Sequence, residues 1–532
     1  MPACNEQDRV KAQHESVQTS SWFLAQDNLK NRQHEEKHMT AVATSLTGAS
    51  SSFVTWDHIQ WDTVKTEVRR LQIRIAKAIS EGRHGKVKSL QWILTHSFHA
   101  KVLAVKRVVQ NQGGKTPGVD NVIWKTPQQK MKAAQSLTRR GYQTQPLRRI
   151  YIPKKDGSQR PLSIPTMKCR AMQALHLLAL DPVAEFCADK NSYGFRPKRS
   201  AADAIQACHI SLARKGSAQW IFEADIKSCF DRISHDWLRA NIPMDKEILG
   251  KWLSAAYMDQ GVFHQTELGT PQGGLASPTL LVLTLSGLEE AVLNAISRRK
   301  DKVHLSIYAD DFIITSATKE VLETKVKPTV VSFLRERGLE LSQEKTKITH
   351  VDDGFDFLGI NVRKYKGKCI TKPSKKSVKN FLANIREIIK SNPTAKTENL
   401  IHLLNPKIRG WANYFRSSCA KKTFSYVDSC IYTALWSWVR RRHPEKNAAW
   451  RKKKYFRSHE LRNWIFSAKT SKNGNTSTYV DLFEARSVAI RRHIKIRVEA
   501  TPYDPRFVEY FEKRKSYSSF SGVRSKQPVR IK

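Results

Sequence analysis

The chain has 532 residues, 40% of them hydrophobic, enough to bury about two to four separate cores. Lys and Arg outnumber Asp and Glu 92 to 48, a formal net charge of +44. Self-repulsion on that scale favours a polyanionic partner, RNA or DNA, with an anionic membrane surface as the rival. No apolar run reaches the roughly 18 residues of a membrane span. The eight scattered cysteines contain no Cys-x-x-Cys pair, which argues against a disulfide framework or a zinc site and fits a reducing compartment.

Residues 1–50 are polar, rich in Gln, Ser and Thr, and carry no secretory h-region. A disordered extension is expected there. Between 64 and 103 the spacing of Val68, Leu71, Ile75 and Ile79, then Val87, Leu90, Ile93 and Leu94, predicts two amphipathic helices with Gly82 and Gly85 between them. Arg148-Arg-Ile-Tyr-Ile-Pro-Lys154-Lys155-Asp-Gly-Ser-Gln-Arg160 reads as a hairpin around an Asp-Gly turn. Its Lys154, Lys155 and Arg160 suit a triphosphate, Arg with a two-pronged grip and Lys as a point charge; an ordinary basic surface hairpin is the alternative. A helix over 167–180 follows, then the motif Asn191-Ser-Tyr-Gly-Phe-Arg-Pro-Lys-Arg-Ser200 and a helix from Ala201.

Trp220-Ile-Phe-Glu-Ala-Asp225 is an apolar strand ending in a carboxylate, with Phe230 and Asp231 close behind. Gly269-Thr-Pro-Gln272-Gly-Gly-Leu-Ala-Ser277 is a glycine-rich turn in which the backbone can approach a ligand. Leu305-Ser-Ile-Tyr-Ala-Asp310-Asp311-Phe-Ile-Ile-Thr315 reads as two strands with adjacent acids at the turn between them. Adjacent carboxylates repel unless a cation neutralises them, and hard divalent cations prefer oxygen ligands. An Asp-rich turn alone explains one such pair, but a second Asp-bearing strand at Asp225 makes a shared metal site the stronger expectation.

Downstream come a helix over 321–338, Lys345 before a strand, and the hairpin Phe355-Asp-Phe357-Leu358-Gly359. Residues 375–445 turn helical and basic, with Leu404-Asn-Pro-Lys-Ile-Arg409-Gly-Trp411-Ala-Asn-Tyr414 at their centre. Trp411, Tyr414, Trp436 and Trp438 can equally be core aromatics. Arg440, Arg441, Arg442, Lys446, Arg451, Lys452, Lys453, Lys454 and Arg457 crowd into 440–457 against one Glu, more charge than a solvated face needs.

Asp225, the Gln272 turn and the Asp310–Asp311 hairpin, in that order, resemble the palm of a reverse transcriptase. With the Arg409-Gly-Trp411 motif, the likeness is to the reverse transcriptase–maturases of group II introns. It implies an α+β right-hand polymerase, fingers and palm around antiparallel sheet with an α-helical thumb. The expected layout is a helical extension and start of the fingers over 55–145, fingers and palm over 146–365, and thumb (domain X) over 375–460. A basic, DNA-binding-like or linker tail over 461–532 follows; with no cysteine after Cys430, an HNH endonuclease is not expected.

The resemblance also implies roles. Asp225, the Ile226 carbonyl, Asp310 and Asp311 would hold two Mg²⁺ ions, with Mn²⁺ as a substitute. Lys154, Arg160, Phe230, Gln272 and Lys345 would meet the nucleotide, Phe230 by excluding a ribose 2′-hydroxyl and Lys345 as an acid near pyrophosphate; for Phe230 a core position, and for Lys345 an exposed strand position, stay open. Phe357, Leu358 and Gly359 would grip the primer. Arg196, Lys198, Arg199, Arg409, Arg440, Arg441, Arg442, Lys452, Lys453 and Lys454 would contact RNA or DNA. The implied partners are intron RNA, RNA template with DNA primer, dNTPs and target DNA, with no membrane and a homodimer left open. A cytoplasmic or nucleoid-associated bacterial setting is expected, an organelle being the alternative. A splicing-only maturase and a domesticated or defence-associated reverse transcriptase are the competing readings.

Overall fold

The computed structural model describes residues 55–519, apart from 154–156, 158, 260–261, 266–267, 271–272, 460–461 and 473–475. The expected N-terminal extension and the predicted site residues Lys154 and Gln272 lie outside the described residues.

The two helices that the spacing predicted form as Trp61–Ser80 and His84–His96, and a third, Phe98–Gln110, takes up the end of the same stretch. Gly82, at φ +68°, makes the first break, and Gly85 belongs to the second helix. Ser97, in extended conformation, separates the second from the third. Without a Gly or Pro to mark it, that break is silent in the pattern. The helices pack on Met167–Cys187, which is buried along most of its length. Gln72 donates to the Leu178 carbonyl at 2.8 Å, locking one helix to the other.

The fingers hairpin forms as expected, Leu147–Pro153 pairing antiparallel with Gln159–Ile164 and setting Arg160 opposite Ile152. Its sheet is widened by Tyr257–Asp259 and Val262–His264. The palm sheet has the order His304–Tyr308, Asp311–Ser316, Trp220–Asp225, Lys347–His350, antiparallel throughout. Its β-branched and aromatic residues explain the strands, and both faces are covered: Phe222 and Ile314 join the N-terminal core, Ile221 and Ile313 the C-terminal one.

A second antiparallel sheet, Phe355–Phe357, Ile360–Tyr365 and Lys368–Pro373, leads into the thumb. Leu358 and Gly359 both take positive φ, +50° and +74°, which a two-residue hairpin of matching twist requires. The thumb helices are Lys375–Ser391, Thr397–Phe415 and Lys421–Arg442. Most of their aromatics are core: Trp438 is fully buried, and Trp411 stacks on Phe381 at 4.6 Å.

The boundary expected at 460/461 falls inside a three-stranded sheet of Phe456–His459, Arg462–Lys472 and Thr476–Asp481. The Arg457–Asp481 ion pair (2.6 Å) clips its ends together. The residues expected to form a linker then run back across the palm and finish in the helix Val508–Ser519. The density of Lys and Arg hid both features, because the buried side chains, Ile465 and Phe466 in the sheet and Ile496 and Tyr510 in the returning segment, are too few among them to show a period.

Candidate active site

Along Trp220–Asp225, residues 221, 223 and 225 leave one face and 222 and 224 the other. Phe222 and Ala224 anchor the strand from below, among Phe312 and Ile314. Asp225 stands opposite Asp311 in the antiparallel register, so both carboxylates rise from the same face at the end of the sheet. Tyr308 pairs with Asp311 across the hairpin, leaving Ala309 and Asp310 as its turn. Ala309 takes φ +59°, an uncommon conformation for a side chain other than glycine.

Like charges set opposite one another are unfavourable, and the site shows it. Loss of solvation, then the charges of Asp310 and Asp225, push the Asp311 carboxyl up to about 6. Because Asp311 is exposed at its surface, the neighbouring carboxylates are the firmer of these causes. Lys345 partly relieves the charge, its Nζ donating to Asp225 Oδ2 at 2.8 Å. That hydrogen bond raises the Lys345 pKa. Among the described residues no three His, Cys, Asp or Glu side chains already converge as a closed metal cage. Hard oxygen donors, mutual repulsion and a lysine ammonium drawn onto Asp225 nonetheless fit a hard divalent cation.

The hairpin is braced from below by the 191–200 motif. Tyr193 N donates to the Ile307 carbonyl and Ile307 N to the Asn191 carbonyl, both at 2.9 Å. A Cβ on Gly194 would lie 2.1 Å from Ala309 N, so only glycine lets this backbone pass under the acidic turn. Gly269 is similarly pressed, its Cβ position 2.5 Å from the Asp231 carbonyl carbon. Phe230, half-buried, meets the exposed Phe195 ring edge to face at 6.4 Å. At Ile226 the strand bridges Leu341 through the Ser342 and Lys227 amides, and neither bond uses the Ile226 carbonyl.

Arg160 is exposed on its hairpin. Phe357 is buried, whereas the Leu358 carbonyl accepts a 2.8 Å hydrogen bond from Tyr414 Oη of the thumb. Lys198 is exposed, and so are Arg409, Arg440, Arg441, Lys453 and Lys454.

Two expected nucleic-acid contacts, Arg196 and Arg199, are corrected. Arg196 and Arg199 point inward, both ion-paired to the buried Glu185, Arg196 at 2.9 Å. Arg196 also donates to the Asp189 and Ser192 carbonyls, so neither guanidinium is presented to a template. Arg442 turns back to the Ala395 carbonyl and lies over Trp438. Lys452 and Lys454 cover Trp464 and Trp450 with their ammonium groups, which splits them between packing and surface. Gly194 and Tyr414 are the supports missed as such; a Gly between two aromatics was the available signal for the first.

The layout defines a palm of the kind used by nucleic-acid polymerases. Comparison with known proteins makes this specific. Residues 152–362 match the family described as reverse transcriptase (RNA-dependent DNA polymerase), residues 56–137 the N-terminal domain of reverse transcriptase, and residues 378–456 the group II intron maturase-specific domain. Protein YkfC of Escherichia coli is 30% identical over 54% of this chain and 87% of its own length. The group II intron-encoded protein LtrA of Lactococcus lactis is 30% identical over 49% of this chain, which spans 54% of it. A 91 kDa protein in the cob intron of Schizosaccharomyces pombe is 29% identical over 43% of this chain and 36% of its own. Telomerase from Candida albicans, at 12% identity and a TM-score of 0.34 over 58% of this chain and 63% of its own, is too distant in geometry to bear on the fold. The chain belongs to the reverse transcriptase–maturases of group II introns, RNA-directed DNA polymerases with an attached maturase domain. Membership brings a general dependence on divalent metal and RNA as a binding partner. No helix among the described residues is long and apolar enough to cross a membrane.

Proposed function

We propose that the protein extends a DNA primer along an RNA template at Asp225, Asp310 and Asp311, and that its thumb binds group II intron RNA to assist splicing and mobility. The observation that carries this reading is the register that sets Asp225 against Asp311 on one face, beside the turn residue Asp310. These carboxylates, with the Ile226 carbonyl, would hold two Mg²⁺ ions, Mn²⁺ being the nearest substitute. Bound there, such ions supply acidity toward the primer 3′-hydroxyl and neutralise the leaving pyrophosphate.

The protein's own groups do the positioning. Arg160, with Lys154, grips the triphosphate of the incoming dNTP, and Lys345 Nζ carries a proton for a leaving pyrophosphate oxygen. The Phe230 ring occupies the space of a ribose 2′-hydroxyl, and Gln272 contacts the sugar and template base. The Phe357–Leu358–Gly359 turn, fixed by Tyr414, seats the primer end. Lys198, Arg409, Arg440, Arg441 and Lys453, exposed on the palm and thumb, hold the duplex or intron RNA by backbone and shape, and target DNA is the substrate for mobility. The setting is the bacterial cytoplasm or nucleoid, with an organelle as the alternative.

Primer extension on an RNA template with dNTPs and Mg²⁺ tests this. Full-length cDNA from wild type and none from Asp310→Ala is the expected result. A folded wild type that binds intron RNA yet synthesises nothing would overturn it in favour of a splicing-only maturase.

A further inference from the structure

Arg196 and Arg199 of the Asn191–Ser200 motif turn inward, but its Phe195 does not. Phe195 is 51% exposed and takes φ +58°. Left-handed backbone crowds a Cβ against the following carbonyl, and for a bulky side chain it is a genuine outlier. Burial does not compensate here, because the residue is half exposed. Its flanks hold it in place. On one side Gly194 passes under the acidic turn, where only glycine fits against Ala309, and Tyr193 N donates to the Ile307 carbonyl at 2.9 Å. On the other, Arg196 is 8% exposed, paired to Glu185 at 2.9 Å and donating to the Asp189 and Ser192 carbonyls at 2.7 and 2.8 Å. Strain of this kind persists only where the surroundings over-determine it, and it gathers at active sites.

The strained residue meets Phe230, edge to face, with ring centroids 6.4 Å apart and planes at 68°. Phe230 sits in a single helical turn, Cys229–Arg232, entered through Ser228 at φ +47°. Its backbone is pinned: Thr270 N donates to the Phe230 carbonyl at 2.6 Å, and a Cβ on Gly269 would lie 2.6 Å from the same oxygen. Its half-buried side chain packs on the N-terminal core, and Phe195 adds a second support from the loop under the acidic turn. A ring that excludes a ribose 2′-hydroxyl rejects it only as firmly as the ring itself is held. Edge-to-face pairing is the geometry in which one aromatic holds another.

We propose that Phe195 is a positioning residue for sugar selection: it braces the Phe230 ring, so that the ring keeps its place when a ribonucleotide presses a 2′-hydroxyl against it. The proposal rests on the polymerase reading, with Phe230 as the ring beside the sugar. It assigns the backbone strain at residue 195 to the choice of substrate.

The test is single-nucleotide extension of a DNA primer on an RNA template, read as kcat/KM for a dNTP divided by kcat/KM for the matching rNTP. Phe195→Ala should lower that ratio about three- to tenfold, the worth of one edge-to-face pair, chiefly through a faster rNTP reaction. Phe195→Tyr keeps the ring and should keep the ratio. Phe195→Gly removes the ring and accepts the backbone. It should melt at or above wild type with the same lowered ratio, which covers an alanine variant that folds poorly. Action through Phe230 is read in a double variant. Once Phe230→Ala has lowered the ratio, adding Phe195→Ala should change it by less than about twofold, because the two act as one unit. An unchanged ratio in folded Phe195→Gly, or a full further loss on the Phe230→Ala background, overturns the proposal. A wild type that makes no cDNA sinks the polymerase reading itself, whereas cDNA with an unmoved ratio sinks the brace alone.

Discussion

Two sets of carboxylates in this protein obey opposite rules. Asp225, Asp310 and Asp311 meet one another at the end of the palm sheet, with one lysine ammonium between them. Glu185 and Asp203 are buried at 1% and 0% side-chain exposure and wrapped in arginine: Arg196 and Arg199 for the first, Arg514 for the second. In the first set repulsion is left standing, so the site is poised for an added cation. In the second each carboxylate is answered from within, and the answer ties chain segments together. Residue type says nothing of the difference; the sign of the neighbours decides it.

Substitution should separate the two sets. Asp310→Ala is expected to lower primer extension by about 10³-fold while leaving the melting temperature unchanged or higher, because it removes repulsion. A clear fall in melting temperature would show that the acidic turn is structural after all. Glu185→Ala should do the reverse first. It strands two buried guanidiniums, and breaking a buried pair costs about 3–5 kcal/mol, measurable by denaturant unfolding. Activity is then lost only in proportion to unfolded protein.

The palm was legible in the sequence because its signals are local. A strand ending in Asp225, a two-acid turn between β-branched runs and a glycine-rich turn each fit within a dozen residues. The fingers hairpin and the Leu358–Gly359 turn were equally readable. Arg196 and Arg199 were misplaced because their partner, Glu185, lies in a preceding helix whose packing no local pattern reveals. The sheet at 456–481 and the returning segment went unseen for the same reason. Asp203 and Arg514 are fixed to each other across 311 residues of chain, and the basic run between thumb and tail looked like surface throughout.

Asp203 also supplies a pH test. Burial alone would raise its pKa, but the hydrogen bond from His493 and the charge of Arg514 outweigh it and hold the carboxyl at about 2, below its ordinary 3.8. A depressed folded-state pKa contributes stability above the ordinary value, lost as pH falls through the folded one. The returning segment should therefore gain hydrogen-exchange rate between about pH 4 and pH 2, ahead of the palm. Asp203→Asn should loosen it at neutral pH, at about 1.5–3 kcal/mol. Gly194→Ala is expected to cost about 1–3 kcal/mol through overpacking and to slow primer extension, since the added methyl pushes on Ala309 beside Asp310.

The smallest effect is the most discriminating. The Asp311 carboxyl is raised to about 6 from an ordinary 3.8, so its ionised form is disfavoured in the folded, metal-free protein. That penalty is absent below about pH 4, grows between the two values, and is complete above about pH 6. Asp311→Asn in chelator should therefore melt slightly higher than wild type at pH 8 and level with it at pH 4. Added Mg²⁺ should raise the wild type and not the variant, reversing their order. Equal melting at pH 8 in chelator would mean that Lys345 alone already balances the site, and the contrast with Glu185 and Asp203 would lose its energetic basis.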